Sequence, residues 1–302
     1  MSAQLQHLFE VFAPAKINLY LHVTGRQGDG YHTLDSLISF ADIGDKISLE
    51  PAESLSLEIT GAFTRVFKGK DISAAPDSTN LVIKAAWALA RLAGKSPVFK
   101  ITLEKNLPLG GGIGGGSSDC AAAIWAMLEH WNLPHDLDGL DALMLSLGAD
   151  VPVCFACQTT RVRGIGDILD PAPVLPEIPI VLAHPGKACN TQDVFRRFAG
   201  GFAELLYLPR NISDAETLCA FLSRTENALT RAAIQCVPEI QNVLNAFDVQ
   251  RDCLLARMSG SGSTCFGLFD DENAAKNAAA ALAYENPDWW VKSGWLGMPA
   301  RY

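Results

Sequence analysis

At 302 residues, with 49% hydrophobic and 19% charged side chains, the chain is long enough for two domains that each bury a core, and it has the composition of a globular enzyme. Its formal net charge of -9 argues against nucleic acid as a partner, because nucleic-acid-binding proteins carry basic patches, so any anionic ligand has to be met by local groups. No apolar run approaches the ~18 residues of a membrane span, and Glu10 interrupts the only apolar N-terminal stretch; neither a membrane segment nor a signal peptide is expected, and a cytoplasmic setting is.

From Ala15 the chain alternates. Ile17, Leu19, Leu21 and Val23 fall on one face and Lys16, Asn18, Tyr20 and His22 on the other, the pattern of a strand with one apolar and one polar face. Lys16 and Asn18 then project the same way, which an ordinary solvated face would also explain. The following loop holds an Asp29-Gly30 turn signal and ends in Tyr31-His32, an aromatic ring and an imidazole that suit a flat ligand such as a nucleobase.

A second alternating segment sets Phe99, Ile101 and Leu103 against Lys100, Thr102 and Glu104, as in a half-solvated antiparallel strand. Pro108 and Leu109 then lead into Gly110, Gly111, Gly112, Ile113, Gly114, Gly115 and Gly116, six glycines in seven positions. Glycine has no Cβ and takes positive φ freely, so such a run turns tightly while presenting bare amides. The residues after it read as a helix from Ser117 to Trp131. Ser117, Ser118 and Asp119 are N-cap candidates, and Ala121, Ile124, Trp125, Leu128 and Trp131 form one stripe. A glycine loop feeding a helix N-terminus is a phosphate cradle rather than a linker. It is not a Walker loop, because no Lys follows the last glycine, and the His-Arg-Asp and Asp-Phe-Gly strings of protein kinases are absent. Gly110, Gly112 and Gly115 match G-x-G-x-x-G in letters, but a dinucleotide-binding loop follows a strand apolar on both faces, unlike residues 99–104.

Leu140, Leu143, Met144 and Leu147 make a helix stripe that Gly148 ends. The apolar run Val151 to Cys157 reads as a strand, which places Asp150 at a helix-strand junction and points Cys154 and Cys157 to opposite faces, where they cannot share a metal; buried free thiols are expected. Residues 254–256 and the run up to Phe269 read as a hairpin turned by the Ser259 to Thr264 stretch, followed by a helix from Glu272 to Tyr284 capped by Asp270 or Asp271.

Pro14-Ala15-Lys16-Ile17-Asn18-Leu19, the Gly110 to Ser118 loop, Gly148-Ala149-Asp150-Val151-Pro152 and Ser259-Gly260-Ser261-Gly262-Ser263-Thr264 resemble, in order, the motifs of the GHMP kinase superfamily, over nearly the whole chain. Gly28-Asp29-Gly30-Tyr31-His32, the doubled glycine triplet and Leu182-Ala183-His184-Pro185-Gly186 are similar to the branch whose acceptor is a cytidine diphosphate-linked methylerythritol. The resemblance implies an α+β fold of two domains, a ribosomal-protein-like β/α part over 1–160 and a ferredoxin-like part over 161–302 whose tail can return to the first. In the second part it implies a strand Ile180 to His184, helices between Gln192 and Phe247, and a last strand near Trp290.

By that resemblance the co-substrate is ATP with Mg²⁺, and a small-molecule hydroxyl receives the γ-phosphate. Asp150 would act as base and Lys16 would stabilise charge and hold Asp150 ionised. Pro108, the loop glycines, Ser117 and Ser118 would hold the triphosphate, with Asn80 and Lys105 beside the adenosine. Tyr31, His32 and Phe195 would take the cytidine, and Asn18 and Thr191 the polar part of the acceptor. Val194, Phe195 and Phe198 equally form a helix core stripe. The loop departs from the common Gly-Leu-Gly-Ser-Ser form, so no metal ligand is assigned, and both monomer and homodimer stay open. A nicotinamide-dependent oxidoreductase and a non-catalytic nucleotide sensor are the alternatives; the presence of both Lys16 and Asp150 argues against the second.

Overall fold

The computed structural model describes residues 9–28, 30–67 and 73–297; Asp29 of the expected turn lies outside them. Strands β1 (Phe9–Arg26), β2 (His32–Pro51) and β3 (Ser56–Thr60) precede helix α1 (Leu81–Ala93). Strand β4 (Phe99–Glu104) enters the glycine loop and α2 (Gly115–Trp131), followed by α3 (Leu140–Leu147), α4 (Val151–Ala156), β5 (Thr160–Gly164), β6 (Ile168–Pro171) and β7 (Ile178–His184). Helices α5 (Thr191–Arg197), α6 (Ala215–Leu222), α7 (Thr230–Cys236) and α8 (Glu239–Asp248) lead to the hairpin β8 (Cys253–Met258) and β9 (Cys265–Phe269), then α9 (Glu272–Glu285) and β10 (Trp290–Leu296).

The long β2 organises the sheet. It pairs antiparallel with β1 along nearly its whole length, with β5 through Leu34 to Ile38 and with β4 through Lys46 to Pro51. The last strand, β10, pairs with β7 and meets β2 at Leu296 and Ala41, so one hydrogen-bonded sheet runs in the order β3-β4-β2-β10-β7-β9-β8. The tail thus returns to β2, and Gly297 N-H also donates to Phe40 O. Helices α1 to α4 cover one stretch of this sheet with a core that includes Phe40, Ile47, Phe99, Ile124 and Met127, while α7 to α9 build another around Val181, Ile240, Phe247 and Leu282. The short side chains Ala121, Ala122 and Ala123 let α2 lie deep in the first core, where all three are fully buried.

β4 alternates buried and half-buried residues, as its sequence requires, and pairs antiparallel with β2. The hairpin and α9, with Asp271 as its N-cap, also form as expected. Three expectations are corrected. Val151 to Ala156 is helical, not extended: Pro152 sits in the first turn, where its missing N-H costs nothing. Cys154 and Cys157 are nevertheless buried free thiols, and all eight cysteines are free. Helix α2 starts two residues early, at Gly115, with left-handed Gly114 (φ 65°) as its cap and no side-chain cap bond, because Ser118 and Asp119 are engaged in tertiary contacts. The polar face of β1 is not solvated, since Lys16, Asn18, Tyr20 and His22 are all buried against other elements.

Tyr20 shows how that face is satisfied. Its hydroxyl donates to Asp35 (3.0 Å), a fully buried carboxylate on β2 that also takes both arms of Arg161 from β5 (2.8 and 2.7 Å) and the Leu206 N-H (3.2 Å). Burial pushes Asp35 up, but these donors outweigh it and hold the carboxyl below its ordinary range. The stabilisation is therefore present at neutral pH and is lost as pH falls below about 4. Arg161→Met should lower the unfolding free energy at pH 7 by about 3 kcal/mol in urea titrations, since it strands a buried charge; an unchanged midpoint would refute the assignment.

Candidate active site

The glycine loop is held from behind by its carbonyls. Gly110 O accepts from Cys189 N-H (3.0 Å), Gly111 O from Thr264 N-H (2.9 Å), Gly112 O from the Ser259 hydroxyl (3.1 Å), Ile113 O from Lys16 N-H (2.9 Å) and Gly114 O from Ser118 N-H (2.8 Å). The C=O and N-H of a trans peptide point in opposite directions, so fixing five consecutive carbonyls turns the amides of residues 111–115 away from those partners. A cavity of about 1110 Å³ lies beside the loop, lined by Gly110, Gly111, Gly112, Gly114, Gly115 and Gly116 together with Pro108 and Ser117. Gly112 (φ 72°) has no room for a side chain, since a Cβ would stand 2.5 Å from Ser259 O. The β8-β9 turn is thus the bed of the loop.

Lys16 and Asp150 meet at this cavity. Lys16 leaves β1 buried, running past Gly114, and its ammonium reaches Asp150 (3.1 Å) and Asn18 Oδ1 (3.1 Å). Asn18 is oriented by donating to the Ser36 hydroxyl (2.8 Å), which donates in turn to Tyr20 O. Asp150 precedes α4 but makes no side-chain cap bond, so its half-exposed carboxylate serves the cavity instead of the helix. A buried cation against an accessible carboxylate can hold a proton acceptor in place and stabilise negative charge beside it.

Behind the loop stands a second lysine. Lys105 is buried between Asp45, with which it makes a short ion pair, and Asp119 (2.6 Å) in the first turns of α2, while Asp45 also accepts from Leu107 N-H (2.7 Å). Burial pushes the Asp119 carboxyl up to about 8; Lys105 opposes the shift and the Asp45 charge adds to it. Asn80 lines the cavity while its Oδ1 caps α1 through Val82 and Ile83 N-H (2.9 and 3.4 Å). Ser118 alone among the expected site residues does not line the cavity: its buried hydroxyl donates to Pro14 O (2.7 Å) and lies 3.4 Å from Cys154 Sγ.

At the far end His32 stacks on Phe195 (ring centroids 5.3 Å apart, planes at 25°) with Phe198 edge-on at 5.7 Å, and Tyr31 is 64% exposed beside them. Burial, helped by Arg26, pushes the His32 imidazole below its usual range, leaving it neutral at pH 7. Val194 is fully buried and anchors α5 in the core, while Phe195 is partly buried and lines the cavity, so the helix serves both purposes. Thr191 and Ser261 share a hydrogen bond (2.8 Å) across the cavity wall. Leu21, Leu34, Ser36 and Ser261 also line it. The alternation of β1 gave Leu21 an apolar role on the other face, and no motif marks Leu34 or Ser36. Among the described residues no cluster of three His, Cys, Asp or Glu could hold a metal, and no helix is long and apolar enough to cross a membrane.

Gly114→Ala would set a Cβ 2.9 Å from that of Lys16 at a φ of 65°, and kcat should fall by about 10²-fold through displacement of the ammonium, well beyond what a melting temperature lowered by the ~1–2 kcal/mol left-handed strain would explain. A normal kcat would show that Lys16 need not stand where it does. Because Asp119 binds its proton more tightly in the folded state, its contribution to stability is present below pH ~4 and lost as pH rises through about 8. The wild type should lose more thermal stability than Asp119→Asn from about pH 5 to about pH 9; parallel curves would contradict this.

Comparison with known proteins supports one family throughout. The GHMP kinases N terminal domain matches residues 80–158 and the GHMP kinases C terminal domain matches 203–288. A 4-diphosphocytidyl-2-C-methyl-D-erythritol kinase of Paramagnetospirillum magneticum is 44% identical over 283 residues, covering 94% of this chain and 96% of that protein. One from Roseobacter denitrificans is 42% identical over 307 residues, covering 99% and 97%. The crystal structure of a 4-(cytidine 5'-diphospho)-2C-methyl-D-erythritol kinase superposes with a TM-score of 0.77 at 33% identity, over 96% of this chain and 100% of that one. The homoserine kinase of Cytophaga hutchinsonii shares the fold at 17% identity (TM-score 0.65, 98% and 96% covered). The chain belongs to the GHMP kinases, in the branch of the 4-diphosphocytidyl-2-C-methyl-D-erythritol kinases.

Proposed function

We propose that the chain transfers the γ-phosphate of ATP to the 2-hydroxyl of 4-diphosphocytidyl-2-C-methyl-D-erythritol, a step of non-mevalonate isoprenoid precursor synthesis. The observation that carries this reading is the Lys16-Asp150 pair set between an amide-lined loop and an aromatic pocket in one cavity. At about 1110 Å³ that cavity slightly exceeds the usual range for a single small ligand, as a site for two substrates must.

Phosphoryl transfer needs positioning and charge stabilisation more than covalent participation by the protein. Asp150 takes the proton of the acceptor hydroxyl, whose oxygen attacks the γ-phosphorus; the bond to the bridging oxygen breaks and ADP leaves with the electron pair. Lys16 faces the charge that grows on the phosphoryl oxygens and keeps Asp150 in place. The amides of residues 111–115 and the start of α2 receive the triphosphate. Mg²⁺ neutralises triphosphate charge when bound, and it takes few protein ligands because it keeps its waters and the substrate's phosphates. The Ser117 hydroxyl at the cavity wall, in the first turn of α2, would offer it a protein contact. Tyr31, His32 and Phe195 hold the cytosine, the neutral imidazole of His32 offering a donor and an acceptor along its edge. Asn18 and Thr191 meet the methylerythritol hydroxyls. Eight free thiols agree with a cytoplasmic setting.

Coupled ADP release should be seen with diphosphocytidyl-methylerythritol and not with homoserine, galactose or mevalonate; the reverse pattern would sink the reading. In the same assay Asp150→Ala should lower kcat by about 10²- to 10⁴-fold, the usual worth of a general base. A rate close to wild type would remove Asp150 from the mechanism.

A further inference from the structure

Both faces of β7 are buried, and His184 ends the row that carries Ile178, Ile180 and Leu182, as its polar member. The side chain is buried. Its Nδ1 accepts the Gly186 N-H (3.1 Å), which leaves the ring proton on Nε2, and burial holds the imidazole neutral by pushing its pKa down to about 4. Nε2 is buried with no hydrogen-bond partner. One other hydrogen-bonding group in the same neighbourhood shares that condition: Thr264 Oγ1, on a fully buried residue whose backbone N-H holds Gly111 O. Both side chains converge on Gly111. A Cβ placed there would stand 2.7 Å from Thr264 Oγ1 and 3.4 Å from His184 Cδ2, the ring carbon bonded to Nε2.

An unpaired donor and an unpaired acceptor therefore lie under one peptide of the loop, in a position that a purely structural core would fill with apolar groups. We propose that His184 is a positioning residue for the phosphate loop: its Nε2-H and the Thr264 hydroxyl form a polar floor under Gly111, and they pair when a triphosphate seats on the loop's amide side. The loop binds best in the state that satisfies both groups, so nucleotide affinity includes the floor although neither side chain reaches the ligand. This rests on the reading of the loop as the ATP site. The acceptor pocket, at His32 and Phe195, shares neither residue.

The two nitrogens of His184 can be tested separately, because an Asn amide reproduces the position of Nδ1 and a Gln amide that of Nε2. His184→Asn keeps the acceptor for Gly186 and loses the floor donor; its KM for ATP should rise about tenfold, the worth of one hydrogen bond, with the acceptor KM and melting temperature near wild type. His184→Gln restores the donor and should return the ATP KM to within about threefold of wild type despite a lower melting temperature. Thr264→Val should raise the ATP KM like His184→Asn, and the double variant should be no worse than either single one. An unchanged ATP KM in His184→Asn, or equal increases in both substrates' KM, would overturn the proposal. A wild type that shows no ATP-dependent turnover would instead overturn the reading of the site.

Discussion

Everything at the site depends on the backbone tethering of the glycine loop. Five consecutive carbonyls are fixed by five donors from four parts of the chain: β1, the start of α2, the segment before α5 and two positions of the β8-β9 turn. The loop cannot reverse a peptide plane without breaking one of these bonds, so its amides are held pointing away from those partners before any ligand arrives. Preorganisation of this kind is what electrostatic stabilisation requires, because dipoles that must turn during the reaction contribute less. The tethering also explains the glycines. Side chains at positions 112 and 114 would collide with the turn or with Lys16, so the loop lies close to its supports only because it carries none.

The two lysines near the loop show how burial divides one residue type into two roles. Lys105 is held between Asp45 and Asp119, a cluster that joins β2, β4 and α2 beneath the loop and meets the cavity wall through Lys105 and Asp119. Lys16 is equally buried, yet its partner Asp150 is 44% exposed, so this pair opens onto the cavity. A pair whose carboxylate is half open has the geometry to exchange a proton with a group in the cavity. The Ser36 and Asn18 hydroxyl-amide relay keeps the second ammonium aimed, and Asp35, one residue before Ser36 on β2, keeps that strand against Tyr20 and Arg161.

Much of this was legible in the chain. The alternation of residues 99–104 argued against a dinucleotide fold and foretold a half-buried strand, which is antiparallel to β2 but parallel to β3, and the glycine run does lead directly into a helix. The pairing of Lys16 with Asp150, distant in sequence, followed only from family motifs, because no periodicity connects them. Local rules misread three places. Val151 to Ala156 is apolar and short, and nothing in its period separates a buried helix turn from a strand, so Pro152 in the first turn decided it. Ser118 and Asp119 have the chemistry of caps, but tertiary partners took both side chains. The polar face of β1 has the pattern of a solvated surface and is buried because β2, β5 and the β8-β9 turn supply its partners.

What the sequence determined by itself is what short-range geometry controls: where glycine permits tight turns, where apolar residues recur every second or every third to fourth position, and where a helix must stop. The tertiary structure alone decided which buried polar groups face one another. Which carboxylate a buried lysine meets, whether a serine reaches the cavity, and that a histidine stands near Gly111 all depend on long-range pairing across β2 and β7, where the cost of leaving a polar group unpaired depends on neighbours that the local sequence does not name.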